Sequence, residues 1–138
     1  AVKSEHEPIF EALTDEQALA LTLYLEARSE PTKGIIAVGS VILERVRLGY
    51  FGKGVKGVCF KPYQFSCYNS KDPQYEKVAL RIASNFDEEA GKISKLQACL
   101  MIARGCCRAR SSQTSKLSFT RWVAALRPGK KNLCMLSG

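Results

Sequence analysis

At 138 residues and a net charge of +8, the chain has the size of one domain and can bury a core without disulfide or metal staples. Its composition, 46% hydrophobic with ordinary glycine and proline counts, excludes a disordered or fibrous chain. No membrane span is expected, because the longest apolar run, Ile35 to Leu43, is interrupted by Gly39 and Ser40.

The charge is unevenly spread. All 13 acidic residues lie at or before Glu89, whereas residues 90–138 carry ten Lys and Arg and no acid. Such a segment is either a solvated surface or a contact for a polyanion: a wall polymer, anionic lipid or nucleic acid. Nucleic acid is the least suited, since no alternation of aromatic and basic residues marks a base-stacking platform. Six cysteines, Cys59, Cys67, Cys99, Cys106, Cys107 and Cys134, show no paired C-x-x-C spacing. A zinc site is not expected, and the thiols read as buried singly or as disulfides. The polar N-terminus, Ala1 to Glu7, is not a signal peptide.

In chain order, Pro8 to Leu13 reads as a short helix or turn that lays Ile9, Phe10 and Leu13 on the body. Thr14 followed by Gln17 has capping-box spacing and predicts a helix over 15–28. Ala18 to Leu25 is apolar on nearly every side of that helix, which places it in a core. Glu26 follows at the end of this run. A carboxyl in apolar surroundings is kept protonated by desolvation and can act as a general acid; the alternative is a plain ion pair with Arg28, Arg45 or Arg47. Pro31 stops the helix.

A second buried helix is expected over 33–47, ended by Gly49. In its middle, Gly39 and Ser40 either admit a closely approaching helix or are tolerated gaps. Residues 50–72 read as loop and short strand, with Tyr63, Gln64, Phe65 and Ser66 forming either the wall of a polymer-binding cleft or part of the core. Asp72-Pro73 begins a helix to about Asn85, with Tyr75, Val78, Ala79 and Ile82 inward. Asp87-Glu88-Glu89 reads as a loop before a last helix over 92–104. Beyond Gly105 the periodicity dissolves, apart from an apolar patch at Trp122 to Leu126.

The chemistry available is narrow. The single histidine, His6, lies in the N-terminal arm, so serine- or cysteine-histidine catalysis is poorly provided for. Neither a phosphate-binding P-loop nor a dinucleotide fingerprint is present. What remains is acid chemistry by a carboxylate, and glycosidic cleavage is the class that needs least beside it.

The residues Tyr24-Leu25-Glu26-Ala27-Arg28-Ser29-Glu30-Pro31, then Gly34 to Val38 with Val41 to Val46, then Gly57-Val58 and Gln64-Phe65-Ser66, resemble the SleB-type cell-wall hydrolases. These act on peptidoglycan in spore germination and occur in phage lysis and virion proteins. The resemblance implies an α+β, predominantly helical, lysozyme-like fold in one domain with a buried central helix pair. It implies lytic transglycosylase activity with Glu26 as catalytic acid and base, without metal or cofactor. It further implies peptidoglycan glycan strands as partner, and action at the cell wall, in the periplasm or from a virion. Tyr63, Gln64, Phe65 and Ser66, polar and aromatic at once, are expected as substrate contacts in the wall of a groove with Glu26 at its floor; Glu30 is a further candidate contact, or it orders the loop beside Pro31 or pairs with a nearby arginine. Ser29 stands where the family has Gly and Glu44 where it has Asn. Residues 106–138 contain no Asp, Glu or His and depart from the family pattern, so the catalytic domain is expected over 1–105 with a basic tail over 106–138 suited to anionic wall polymers. A wall-binding or virion structural protein without activity is the alternative, and a basic nucleic-acid-binding protein a more distant one.

Overall fold

The structure, a computed structural model, describes residues 2–49, 53–61 and 65–112. Among these it contains helices α1 (Glu7–Glu11), α2 (Asp15–Ala27), α3 (Thr32–Leu48), α4 (Gly54–Cys59), α5 (Arg81–Ser84), α6 (Phe86–Lys92) and α7 (Ser94–Ser112). Two 3₁₀ turns, Ser4–His6 and Ser66–Tyr68, and a π-helical segment, Tyr75–Leu80, that runs into α5 complete it. The fold is predominantly helical, and the short strands expected within 50–72 do not occur among the described residues.

Local chemistry sets the ends of the two central helices. The Thr14 hydroxyl accepts from the Gln17 amide and the Gln17 side chain accepts from the Thr14 amide, both at 3.0 Å, so two otherwise unpaired donors are satisfied reciprocally. Gly49 ends α3 at φ 74° and donates to the Arg45 carbonyl, a left-handed position that glycine adopts without strain.

From Ala18 to Leu23 every residue of α2 is fully buried. This helix packs most extensively on α7, and both also contact α3. Gly39 explains how closely they meet. A Cβ there would lie 3.0 Å from the Cys106 sulfur of α7 and 3.8 Å from Leu23 of α2. Cys106 is itself buried, and α7 continues through Gly105 to Ser112 rather than ending near Arg104. Its inward residues Leu96, Cys99, Ala103 and Cys106 keep steps of three and four.

Two other expectations change. The glycine-rich stretch after Lys53 forms α4, which buries Val55, Val58 and Cys59, again at helical spacing. Residues 87–89 lie in α6 instead of a loop. Asn85, at φ −152° and ψ 58°, redirects the chain, and the three acids then occupy the first turn of α6, where unpaired amides favour negative charge. Glu89 accepts from Arg81 at 2.5 Å. Phe10 anchors the N-terminal arm among the rings of Phe60, Tyr68 and Tyr75, at centroid distances of 5.4, 5.8 and 6.2 Å. These aromatics are core. No helix among the described residues is long and apolar enough to cross a membrane.

Candidate active site

Glu26 sits on the last turn of α2, where the helix leaves the core. Leu23 is fully buried, Tyr24, Leu25 and Glu26 are half-buried, and Ala27 is buried again. Two of the three arginines that could have paired with Glu26 are engaged elsewhere. Arg47 pairs with Glu44, and Arg28 donates to Gln74 Oε1 at 3.0 Å.

Burial raises the pKa of the Glu26 carboxyl above the ordinary glutamate value. A hydrogen bond with the Cys67 side chain opposes the rise, and the negative charge of Asp72 adds to it. Cys67 is 4% exposed. Its thiol is held protonated, pushed far above its usual range first by burial and then by the charge of Glu26, so it is the donor to the carboxylate.

The turn that carries Cys67 is tied to α2 one helical turn below Glu26. Tyr68 and Thr22 share a hydroxyl hydrogen bond of 2.8 Å, and Thr22 also donates to the Ala18 carbonyl at 2.9 Å. Both residues are buried, which fixes the distance between the 66–68 turn and the helix. On the other flank, Asp72 Oδ1 accepts from the Gln74 amide at 2.8 Å, and Gln74 is the residue held by Arg28. The Arg28 guanidinium also lies 5.0 Å from the Tyr24 ring centroid, within cation–π range.

The residues expected around Glu26 are placed unevenly. Glu30 is half-buried and packs over the first turn of α3: a Cβ built at Gly34 would meet Glu30 Cβ at 2.9 Å and Oε1 at 3.2 Å. The Glu30 backbone carbonyl accepts from Lys95 at 3.4 Å. Ser66 is exposed beside Cys67. Phe65 departs from the expectation: it is 3% exposed, packed in the core with no free face on which a sugar could stack. Tyr63 and Gln64 lie outside the described residues, as does the patch from Trp122 to Leu126.

Sequence reasoning missed Cys67 and Asp72 as neighbours of Glu26. The only signal in the sequence was a cysteine directly after Gln64-Phe65-Ser66 and an aspartate expected as a helix cap. Among the described residues no three His, Cys, Asp or Glu side chains come together in a way that could hold a metal ion.

The site is thus a single half-buried carboxyl, raised by desolvation, steadied by one thiol and flanked by one further carboxylate. Residues 29–115 match the family model of cell wall hydrolases. This is more than half of the chain, and the chain belongs to that family. The matched stretch begins just after Glu26, so the position of Glu26 is argued from its surroundings. Among curated relatives, the chain is 44% identical over 52 residues to the spore cortex-lytic enzyme of Oceanobacillus iheyensis, covering 38% of this chain and 19% of that one. It is 42% identical over 52 residues to the Bacillus subtilis spore cortex-lytic enzyme, covering 38% and 17%. It is 34% identical over 83 residues to that of Halalkalibacterium halodurans, covering 56% and 25%. The matched region therefore spans a quarter or less of these relatives. No solved structure matches the chain significantly.

Proposed function

We propose that the chain cleaves the glycan strands of peptidoglycan as a lytic transglycosylase, with Glu26 acting first as acid and then as base. The observation that carries this reading is the half-buried Glu26 carboxyl, whose raised pKa keeps it protonated at higher pH than an ordinary glutamate. Protonated Glu26 gives its proton to the glycosidic oxygen as the bond to the anomeric carbon breaks. The resulting carboxylate takes the proton of the muramyl 6-hydroxyl while that oxygen attacks the same anomeric carbon, giving a 1,6-anhydro end and restoring the acid. The Cys67 thiol suits the second half-step, because it donates to the carboxylate once the proton has left.

Glu30, Tyr63, Gln64 and Ser66 are the proposed substrate contacts, and the domain is proposed to run through α7, whose Cys106 is part of the core, rather than to end near residue 105. The basic segment beyond it would rest on anionic wall polymers. The setting proposed is the cell wall, the periplasm or a virion. A second reading, hydrolysis with two carboxyl groups, is favoured by Asp72, whose charge reaches Glu26. Incubation with purified sacculi separates the possibilities. Anhydromuropeptides support transglycosylation, reducing ends support hydrolysis, and binding without product supports a structural role.

A further inference from the structure

Arg28 has one nitrogen that nothing accounts for. Its Nη2 donates to Gln74 and its guanidinium lies by Tyr24, so the group is held from two sides. Its Nη1 is nevertheless buried without a hydrogen-bond partner. Native structures rarely leave a buried donor of a charged group unpaired, and such an exception calls for an explanation. The position supplies one. Arg28 is the residue that caps the C-terminus of α2, two positions after Glu26, and both reach the same short segment: Glu26 feels the charge of Asp72, Asp72 accepts from the Gln74 amide, and Gln74 accepts from Arg28.

We propose that Arg28 is a substrate-positioning residue whose free Nη1 takes an acceptor oxygen, a carboxylate or an amide carbonyl, on the glycan strand beside the bond that Glu26 protonates. This deepens the reading of Glu26 as the acid and rests on it. A planar guanidinium fixed by Tyr24 and Gln74 loses little freedom when the ligand arrives, so the contact favours binding and register over chemistry. A glycan strand offers two such oxygens: the acetamido carbonyl on every sugar and the lactyl carboxyl group on muramyl residues.

The test compares the whole chain with Arg28→Met and Arg28→Lys on two ligands. The first is glycan strands stripped of stem peptides, which carry both oxygens; the second is chitin oligosaccharides, which carry only the acetamido carbonyl. Cleavage kinetics and direct binding are both read. Loss of a charge-assisted contact should raise KM and Kd about ten- to a hundredfold while kcat changes little and Tm does not fall. Loss on both ligands assigns the acetamido carbonyl, and loss on stripped strands alone assigns the carboxylate. The lysine variant keeps the charge without the fork, and it decides the matter should the methionine variant fail to fold. Unchanged KM and Kd with a lowered Tm, or a lowered kcat at unchanged KM, overturns the proposal. Should the wild type bind strands without cleaving them while the Arg28 variants lose binding, the catalytic reading of Glu26 fails and the binding role of Arg28 stands. A wild type that neither binds nor cleaves overturns both.

Discussion

Tyr68 shares a hydroxyl hydrogen bond of 2.8 Å with Thr22 of α2 and so fastens to that helix the turn carrying Cys67, whose thiol lowers the pKa of Glu26 as a hydrogen-bond partner. The Cys67 thiol and the charge of Asp72 act on Glu26 in opposite directions: the thiol stabilises the carboxylate, while Asp72 and burial stabilise the acid.

Opposed effects give opposed mutants. A general acid works only while protonated, so activity should fall as pH rises through the Glu26 pKa. Cys67→Ala removes the stabilising donor and should move that alkaline limb to higher pH. Asp72→Asn removes a repelling charge and should move it lower. Rate–pH profiles of the two variants on sacculi check this. Shifts of the same sign, or none, would show that neither residue tunes Glu26.

Glu26→Gln should leave the fold intact or firmer. The folded pKa is raised, so the protonated group contributes stability that is fully present below the unfolded value, near 4.5, and lost as pH rises through the folded value. The glutamine cannot ionise. Urea denaturation should therefore show the variant gaining on the wild type as pH rises above about 4.5. A variant markedly less stable at neutral pH would mean that Glu26 is held by a structural pair.

Two glycines should respond with opposite signs. Gly39→Val would press on the Cys106 sulfur, 3.0 Å from an added Cβ, and should destabilise by about 1–3 kcal/mol through overpacking. Gly105→Ala meets nothing within 4 Å and should stabilise by about 1 kcal/mol, because alanine is the better helix former. Denaturant midpoints decide both. The second also tests whether α7 continues past Gly105.

Alkaline pH should loosen the core through its thiols. Burial pushes Cys59 and Cys106 up to about 12 and Cys99 up to about 11. Their raised folded values mean that stability is full below about pH 9 and is lost as pH rises through that upper window, by on the order of several kcal/mol in total. Unfolding free energies measured between pH 8 and 11 should fall steadily. A flat profile would mean that these thiols titrate alike in the folded and unfolded states.

What the sequence disclosed was local. The Thr14–Gln17 box, the Pro31 stop and the Gly49 cap each act within one turn of chain, and Glu26 stood out because an acid at the end of Ala18–Leu25 breaks an otherwise apolar run. The helix over 86–92 was hidden because Asp87-Glu88-Glu89 looks like a loop until a redirected Asn85 makes it a first turn. Helix α4 was hidden by glycines, although Val55, Val58 and Cys59 keep helical spacing. Continuation of α7 was hidden by Gly105, whose break in the pattern Cys106 repairs only by packing on Gly39. Cys67 and Asp72 act on Glu26, and Gln74 holds Arg28, across 40 or more positions, which no periodicity encodes.

The most direct measurement is product analysis of purified sacculi digested with the wild-type chain and with Glu26→Gln. Transglycosylation by Glu26 predicts 1,6-anhydromuropeptides from the wild type and their loss by about 10²- to 10⁴-fold in the variant, with sacculus binding nearly unchanged. Anhydro product from Glu26→Gln at the wild-type rate would contradict the account.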